Sequence, residues 1–113
     1  MKNLLIAILV FAAGFTAQAQ QKKNKNAKHD IEVYGNCDMC KKRIEKAAFS
    51  VPGVKSAQWH QDHKDLHLII DENKCSVEDV KAAIAKSGHD TKDVKAKDED
   101  YAKLHGCCQY RSE

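Results

Sequence analysis

The sequence predicts an α+β domain of element order β-α-β-β-α-β with a short C-terminal extension, and three observations carry that expectation. Apolar residues alternate in short runs at 29–34, 54–60 and 66–70, the period of strands buried on one face. They recur at helical spacing at Ile44, Ala47, Ala48 and Val51, and again at Val77, Val80 and Ile84. Turn-forming residues, Gly35-Asn36, Pro52-Gly53 and Gly88, separate the runs. A chain of 113 residues has room for one such domain and little else.

Residues 1–19 read as a signal peptide rather than as fold. Lys2 supplies the charged start, Leu4 to Phe15 the apolar run, and Ala17-Gln18-Ala19 a small-x-small cleavage site, which puts the cut after Ala19. The apolar run is shorter than the roughly 20 residues that span a bilayer. No cysteine follows the cut at once, so the mature chain is expected to carry neither a membrane anchor nor a lipid. An exported, periplasmic protein is the expectation. Removing the leader takes only Lys2 from the formal charge of +3. So small a balance, with no basic stripe interleaved with aromatics, argues against nucleic acid as a partner. Residues 20–28 are polar, rich in Lys and Asn and without periodicity, and read as a flexible linker.

The domain itself is expected over residues 29–94. Ile31 and Val33 alternate in the first strand. The first helix, residues 40–50, keeps Lys41, Lys42, Glu45 and Lys46 on its wet face and stops at Pro52-Gly53. Residues 54–60 and 66–70 form a hairpin around the polar turn Gln61-Asp62-His63-Lys64. Ser76 and Asp79 make a capping-box-like start to the second helix. Gly88 stands where a left-handed residue ends it, and residues 89–94 are assigned a fourth strand. This order is the ferredoxin-like sandwich, a four-stranded antiparallel sheet with two helices on one face. A right-handed crossover makes the first two strands parallel, with the third antiparallel between them. The loop after the first strand, the hairpin turn and Gly88 then share one end, and Cys75 lies at the other. In the extension, residues 95–113, Tyr101 and Leu104 at i and i+3 suggest a short helix packed on one face.

The five cysteines are Cys37, Cys40, Cys75, Cys107 and Cys108. An odd number forbids complete internal pairing, and pairs separated by two residues or adjacent in sequence close no long loop, the arrangement from which disulfides gain most stability. Metal binding or thiol chemistry explains them better. Cys37-Asp38-Met39-Cys40 sits between a strand and a helix, so both sulfurs face a helix N-terminus, where dipole and free N–H groups favour thiolate. Two thiolates without hard oxygen ligands suit a soft ion, Cu(I) or Hg(II) foremost, with Zn(II) also compatible. Mg(II) and Ca(II) need oxygen cages. Cys107, Cys108 and His89 are further candidate ligands, because the extension is long enough to return to the metal end and the loop after Gly88 lies there. Cys75 reads as a free or partly buried thiol, and His29, His60, His63, His67 and His105 as ordinary surface histidines.

The run from Ile31 to Glu45, Ile-Glu-Val-Tyr-Gly-Asn-Cys-Asp-Met-Cys-Lys-Lys-Arg-Ile-Glu, followed by Val51-Pro52-Gly53-Val54, resembles the heavy-metal-associated domain family. That family includes copper chaperones, the metal-binding modules of copper-transporting ATPases and periplasmic mercury-binding proteins. The resemblance implies a ferredoxin-like fold, metal held by Cys37 and Cys40, and passage of that metal to or from a cysteine-containing donor or acceptor protein, without catalysis. One departure stands out. The family motif reads Gly-Met-x-Cys-x-x-Cys, and here Tyr34 and Gly35 replace the Gly and the Met that packs under the metal loop. The alternative class is a thiol-disulfide oxidoreductase using the same Cys-x-x-Cys. Such enzymes place a cis-proline against the motif on a thioredoxin-like fold, whereas Pro52, the single proline, follows the first helix.

Overall fold

The computed structural model describes residues 23–111. The signal peptide expected at 1–19, and the first residues of the expected linker, lie outside the described residues. The elements are β1 (Ala27–Glu32), α1 (Asp38–Phe49), β2 (Val54–His60), β3 (Asp65–Ile70), α2 (Val77–Lys86), α3 (Asp98–Tyr101) and a 3-10 turn, Gly106–Cys108. Among the described residues no helix is long and apolar enough to cross a membrane.

The sheet order is β1-β3-β2, with β3 antiparallel to both neighbours. β1 and β2 are therefore parallel, as the crossover rule requires. The register sets Ile31 and Trp59 on either side of Leu66, and His29 and Ala57 on either side of Leu68. Alternation then sorts the side chains. Ile31, Trp59, Leu66, Leu68 and Ile70 are buried beneath Ile44, Ala48, Val80 and Ile84 of the two helices, while Lys28, Asp30, Gln58 and His67 stay on the open face. Cutting Ile44 or Ile84 back to alanine removes apolar volume that nothing else fills, at a cost of about 2–5 kcal/mol.

β1 starts at Ala27, so Ala27 and Lys28 pair with Ile70 and Ile69, and the Asn24 carbonyl accepts a 2.9 Å bond from the Glu72 N–H. The fourth strand expected at 89–94 is reduced to a single bridge between Val33 and Thr91, so among the described residues the sheet has three strands, not four. The reason lies in local side chains. The Thr91 N–H donates to the Val94 carbonyl at 2.8 Å, and the Val94 N–H donates back to the Thr91 hydroxyl at 3.0 Å. The Asp90 carboxylate accepts from the Ala96 N–H at 2.7 Å. Side chains that satisfy their own neighbours compete with a sheet ladder, and here the turn wins.

The helix ends place the functional loops. At α2 the Asp79 N–H donates to the Ser76 hydroxyl at 3.2 Å and the Ser76 N–H to the Asp79 carboxylate at 3.0 Å, the reciprocal cap the sequence predicts. Gly88 follows with φ of 102°, a left-handed value that side chains resist. A Cβ there would also lie 2.9 Å from the Asp100 carbonyl oxygen and 3.0 Å from Leu104. The extension packs directly on this glycine.

Candidate metal centre

Two backbone hydrogen bonds and one from a side chain bring the loop after β1, the hairpin turn and the loop after Gly88 together. The Val33 N–H donates to the Lys64 carbonyl in the hairpin turn, and the Tyr34 N–H donates to the Asp90 carbonyl, each at 2.9 Å. His89 Nδ1 donates to the Tyr34 carbonyl at 2.8 Å. Cys37 stands at the N-cap of α1 in extended conformation, and its carbonyl accepts the first helical bond, from the Lys41 N–H, at 3.1 Å. Cys40 sits one turn inside α1, fully buried. The two sulfurs are 3.4 Å apart.

A third sulfur joins them. Cys108 Sγ is 3.5 Å from Cys37 Sγ, and the three sulfurs of Cys37, Cys40 and Cys108 all lie within 4.8 Å of one another. Cys108 is fully buried, while its neighbour Cys107 faces solvent. The 3-10 turn accounts for the difference, pointing one sulfur in and one out. Cys107 Sγ lies 4.0 Å from Cys108 Sγ and 3.9 Å from Met39 Sδ, at the rim.

Charge in the cluster is unequal. Burial disfavours a Cys37 anion, but the Cys40 amide and the thiols of Cys40, Cys108 and Cys107 favour it more, and the Cys37 thiol falls to about 7. Its Sγ makes no complete capping hydrogen bond, so the amide acts on it as a dipole aimed at the sulfur. Cys108 moves the other way: burial, then the neighbouring sulfurs of Cys40 and Cys37, push its thiol far up. Within the cluster Cys37 is the sulfur inclined to ionise, and the Cys108 thiol keeps its proton beside it.

His89 reaches the metal end and is fully buried. Its Nδ1 is committed to the Tyr34 carbonyl, its ring stacks on Tyr110 at 5.3 Å, and it is not among the groups that converge within 4.8 Å. Burial pushes its imidazole below the usual histidine range, so it stands neutral as a buttress under the loop. Cys75 is buried at the far end, and burial raises its thiol. His60 and His67 meet edge to face on the sheet, 4.8 Å apart, away from the sulfurs.

Two groups of supporting residues have no local signal in the sequence. The first is Trp59. A Cβ on Gly35 would lie 3.2 Å from the Trp59 ring, 3.0 Å from the Cys40 Cβ and 3.3 Å from Ile44. The indole, fixed by a 3.0 Å bond from its N–H to the Val33 carbonyl, therefore occupies the ground under the loop that a side chain at position 35 would take. A tryptophan on a strand together with a glycine in place of the motif's methionine is the signal that points to it. The second is Asp90 with Tyr110 and Arg111. Arg111 makes a forked pair with Asp90 at 2.8 and 3.1 Å, donates to the Ala96 carbonyl at 2.7 Å and lies over the Tyr101 ring at 4.3 Å. The Tyr110 hydroxyl donates to the Gly88 carbonyl at 3.0 Å.

No family model matches the chain. The copper chaperone CopZ of Staphylococcus haemolyticus is 40% identical over 63 residues, 55% of this chain and 93% of that protein. Among solved structures, a CopZ metallochaperone superposes with TM-score 0.56 and 29% identity, covering 57% of this chain and 98% of that one. The N-terminal domain of a potential copper-translocating P-type ATPase from Bacillus subtilis, in its Cu(I)-loaded state, gives 0.56 and 27%, over 58% and 84%. Cys37 and Cys108 are 71 positions apart, more than the 63 residues matched to the Staphylococcus protein, so that match cannot contain both. A ferredoxin-like domain of this order, with paired sulfurs at the start of its first helix and this degree of identity to nearly the whole of a copper chaperone, places the chain in the heavy-metal-associated domain family.

Proposed function

We propose that this protein is an exported carrier of Cu(I) that holds the ion through the thiolates of Cys37 and Cys40 and passes it to a cysteine pair on a partner protein. The observation that carries the reading is the 3.4 Å approach of the two sulfurs at the start of α1, with one of them already inclined to ionise near neutral pH. Thiolates select soft, polarisable ions. The relatives named as copper chaperones and as a Cu(I)-loaded ATPase domain favour Cu(I) over Hg(II) and Zn(II). Export rests on Lys2, the apolar run and Ala17-Gln18-Ala19; intact mass of the periplasmic protein should give a chain starting at Gln20, and a chain retaining Met1 in the cytoplasm would contradict it.

Transfer follows from ligand exchange. A partner's thiolate attacks the bound ion, one Cys–metal bond is exchanged for another, and no net oxidation occurs. Parallel anaerobic titrations with Cu(I), Hg(II) and Zn(II), each against a competing chelator, test the assignment. Cu(I) should load one per chain and outcompete Zn(II). A protein that ignores Cu(I) but turns over a disulfide substrate would instead be the oxidoreductase.

A further inference from the structure

We propose that the C-terminal extension is a latch that supplies Cys108 as a third thiolate, so that the bound ion is three-coordinate. The inference rests on the Cys37–Cys40 reading and adds a ligand to that same site. Its first support is geometric. A metal–sulfur bond of about 2.3 Å, the value for zinc thiolates, requires sulfur–sulfur edges of about 4.0 Å around a trigonal ion. The edges from Cys37 are 3.4 and 3.5 Å, and the third is within 4.8 Å. Opening the two edges from Cys37 by about 0.5 Å would admit the ion.

The second support is that the extension is fastened on both sides of Cys108, by contacts independent of any sulfur. Upstream, Leu104 is buried against Gly88, where a Cβ would collide with it. Downstream, Tyr110 bonds Gly88 and stacks on His89, and Arg111 grips Asp90 while its own N–H donates to the Tyr101 hydroxyl at 3.0 Å. Cys108 is therefore held against Cys37 before metal arrives. A ligand positioned in advance loses little freedom on binding, and preorganisation of this kind raises affinity and lowers the rate of loss. Buried cysteines also serve as small apolar residues. Cys108, however, sets its sulfur against that of the half-buried Cys37 and within reach of Cys40, rather than among apolar side chains alone.

The latch implies an order of release. A partner thiol first meets the exposed Cys107 and Met39, and the ion leaves fully when the Cys108 bond breaks. Loosening the Arg111–Asp90 fork should therefore hasten release without removing a sulfur.

X-ray absorption on the full mature chain loaded with one equivalent of Cu(I) in thiol-free buffer, with native mass confirming a monomer, tests this. The expected result is three sulfurs in wild type and in Cys107→Ser, and two in Cys108→Ser, with the edge feature of linear Cu(I) appearing only there. Release to a competing chelator should be at least tenfold faster in Cys108→Ser, and faster in Arg111→Ala with three sulfurs retained. Two sulfurs in wild type, or an unchanged Cys108→Ser spectrum, overturns the third ligand while leaving the Cys37–Cys40 assignment standing. Failure of the wild-type chain to bind Cu(I) at all overturns both.

Discussion

At Cys37 burial and hydrogen bonding pull in opposite directions, and the hydrogen bonds win. A thiol lowered to about 7 is half thiolate at neutral pH, and the thiolate is the form that reacts and binds metal. In metal-free protein, alkylation at Cys37 should rise with pH through a midpoint near 7, with Cys75 and Cys108 protected by burial and raised thiols. Peptide mapping after a short iodoacetamide pulse reads the order directly, and early labelling of Cys108 would contradict the cluster. The two motif cysteines were legible because their chemistry depends on four consecutive residues. Trp59 was not, since its role appears only when β2 brings it beneath Gly35. Replacing Trp59 by alanine should cost about 3–5 kcal/mol of stability, seen as a lower denaturant midpoint, and should loosen the loop enough to weaken metal binding.

The elements divide by how local their causes are. α2 was readable to its cap, because Ser76 and Asp79 satisfy each other within one turn. Ser76→Ala should lower stability by about 1 kcal/mol, measurable by urea denaturation. The hairpin and the apolar stripe of α1 were readable by period. The fourth strand shrinks to one bridge, since the side chains of Asp90 and Thr91 capture amides that a ladder would have used. The docking of the extension was only half legible: Tyr101 and Leu104 suggested a packed helix, but Asp90 and Arg111 are far apart in sequence and neither carries a motif. Their pair has a defined pH dependence. Burial raises the Asp90 carboxyl, but the Arg111 guanidinium and the Ala96 amide lower it further, to below the ordinary carboxylate value. A group whose folded value is depressed stabilises above its unfolded value and loses that contribution as pH falls through the folded one. The extension should stay docked at neutral pH and loosen only in acid below the ordinary carboxylate range. The Ala96 amide resonance should follow that transition, and Asp90→Asn should abolish the acid step while weakening docking at pH 7 by about 1.5–3 kcal/mol, the worth of charged hydrogen bonds.

For the whole molecule, a small sandwich brings residues from opposite ends of the chain to a single edge. Topology alone sets the loop after β1 beside the hairpin turn and Gly88, and for that reason the position of the metal end could be deduced from element order. The return of Cys108 to that end was open from sequence, because the length of residues 95–106 permitted it without requiring it. What decides it is the fit of Tyr110 and Arg111 onto Gly88, His89 and Asp90. Native mass spectrometry of the reduced mature chain, titrated anaerobically with Cu(I), is the most direct check that Cys37 and Cys40 hold the cargo. One copper ion per chain is predicted for wild type, with no retained ion in a Cys37→Ser, Cys40→Ser double variant. Equal loading of the two proteins would contradict the account.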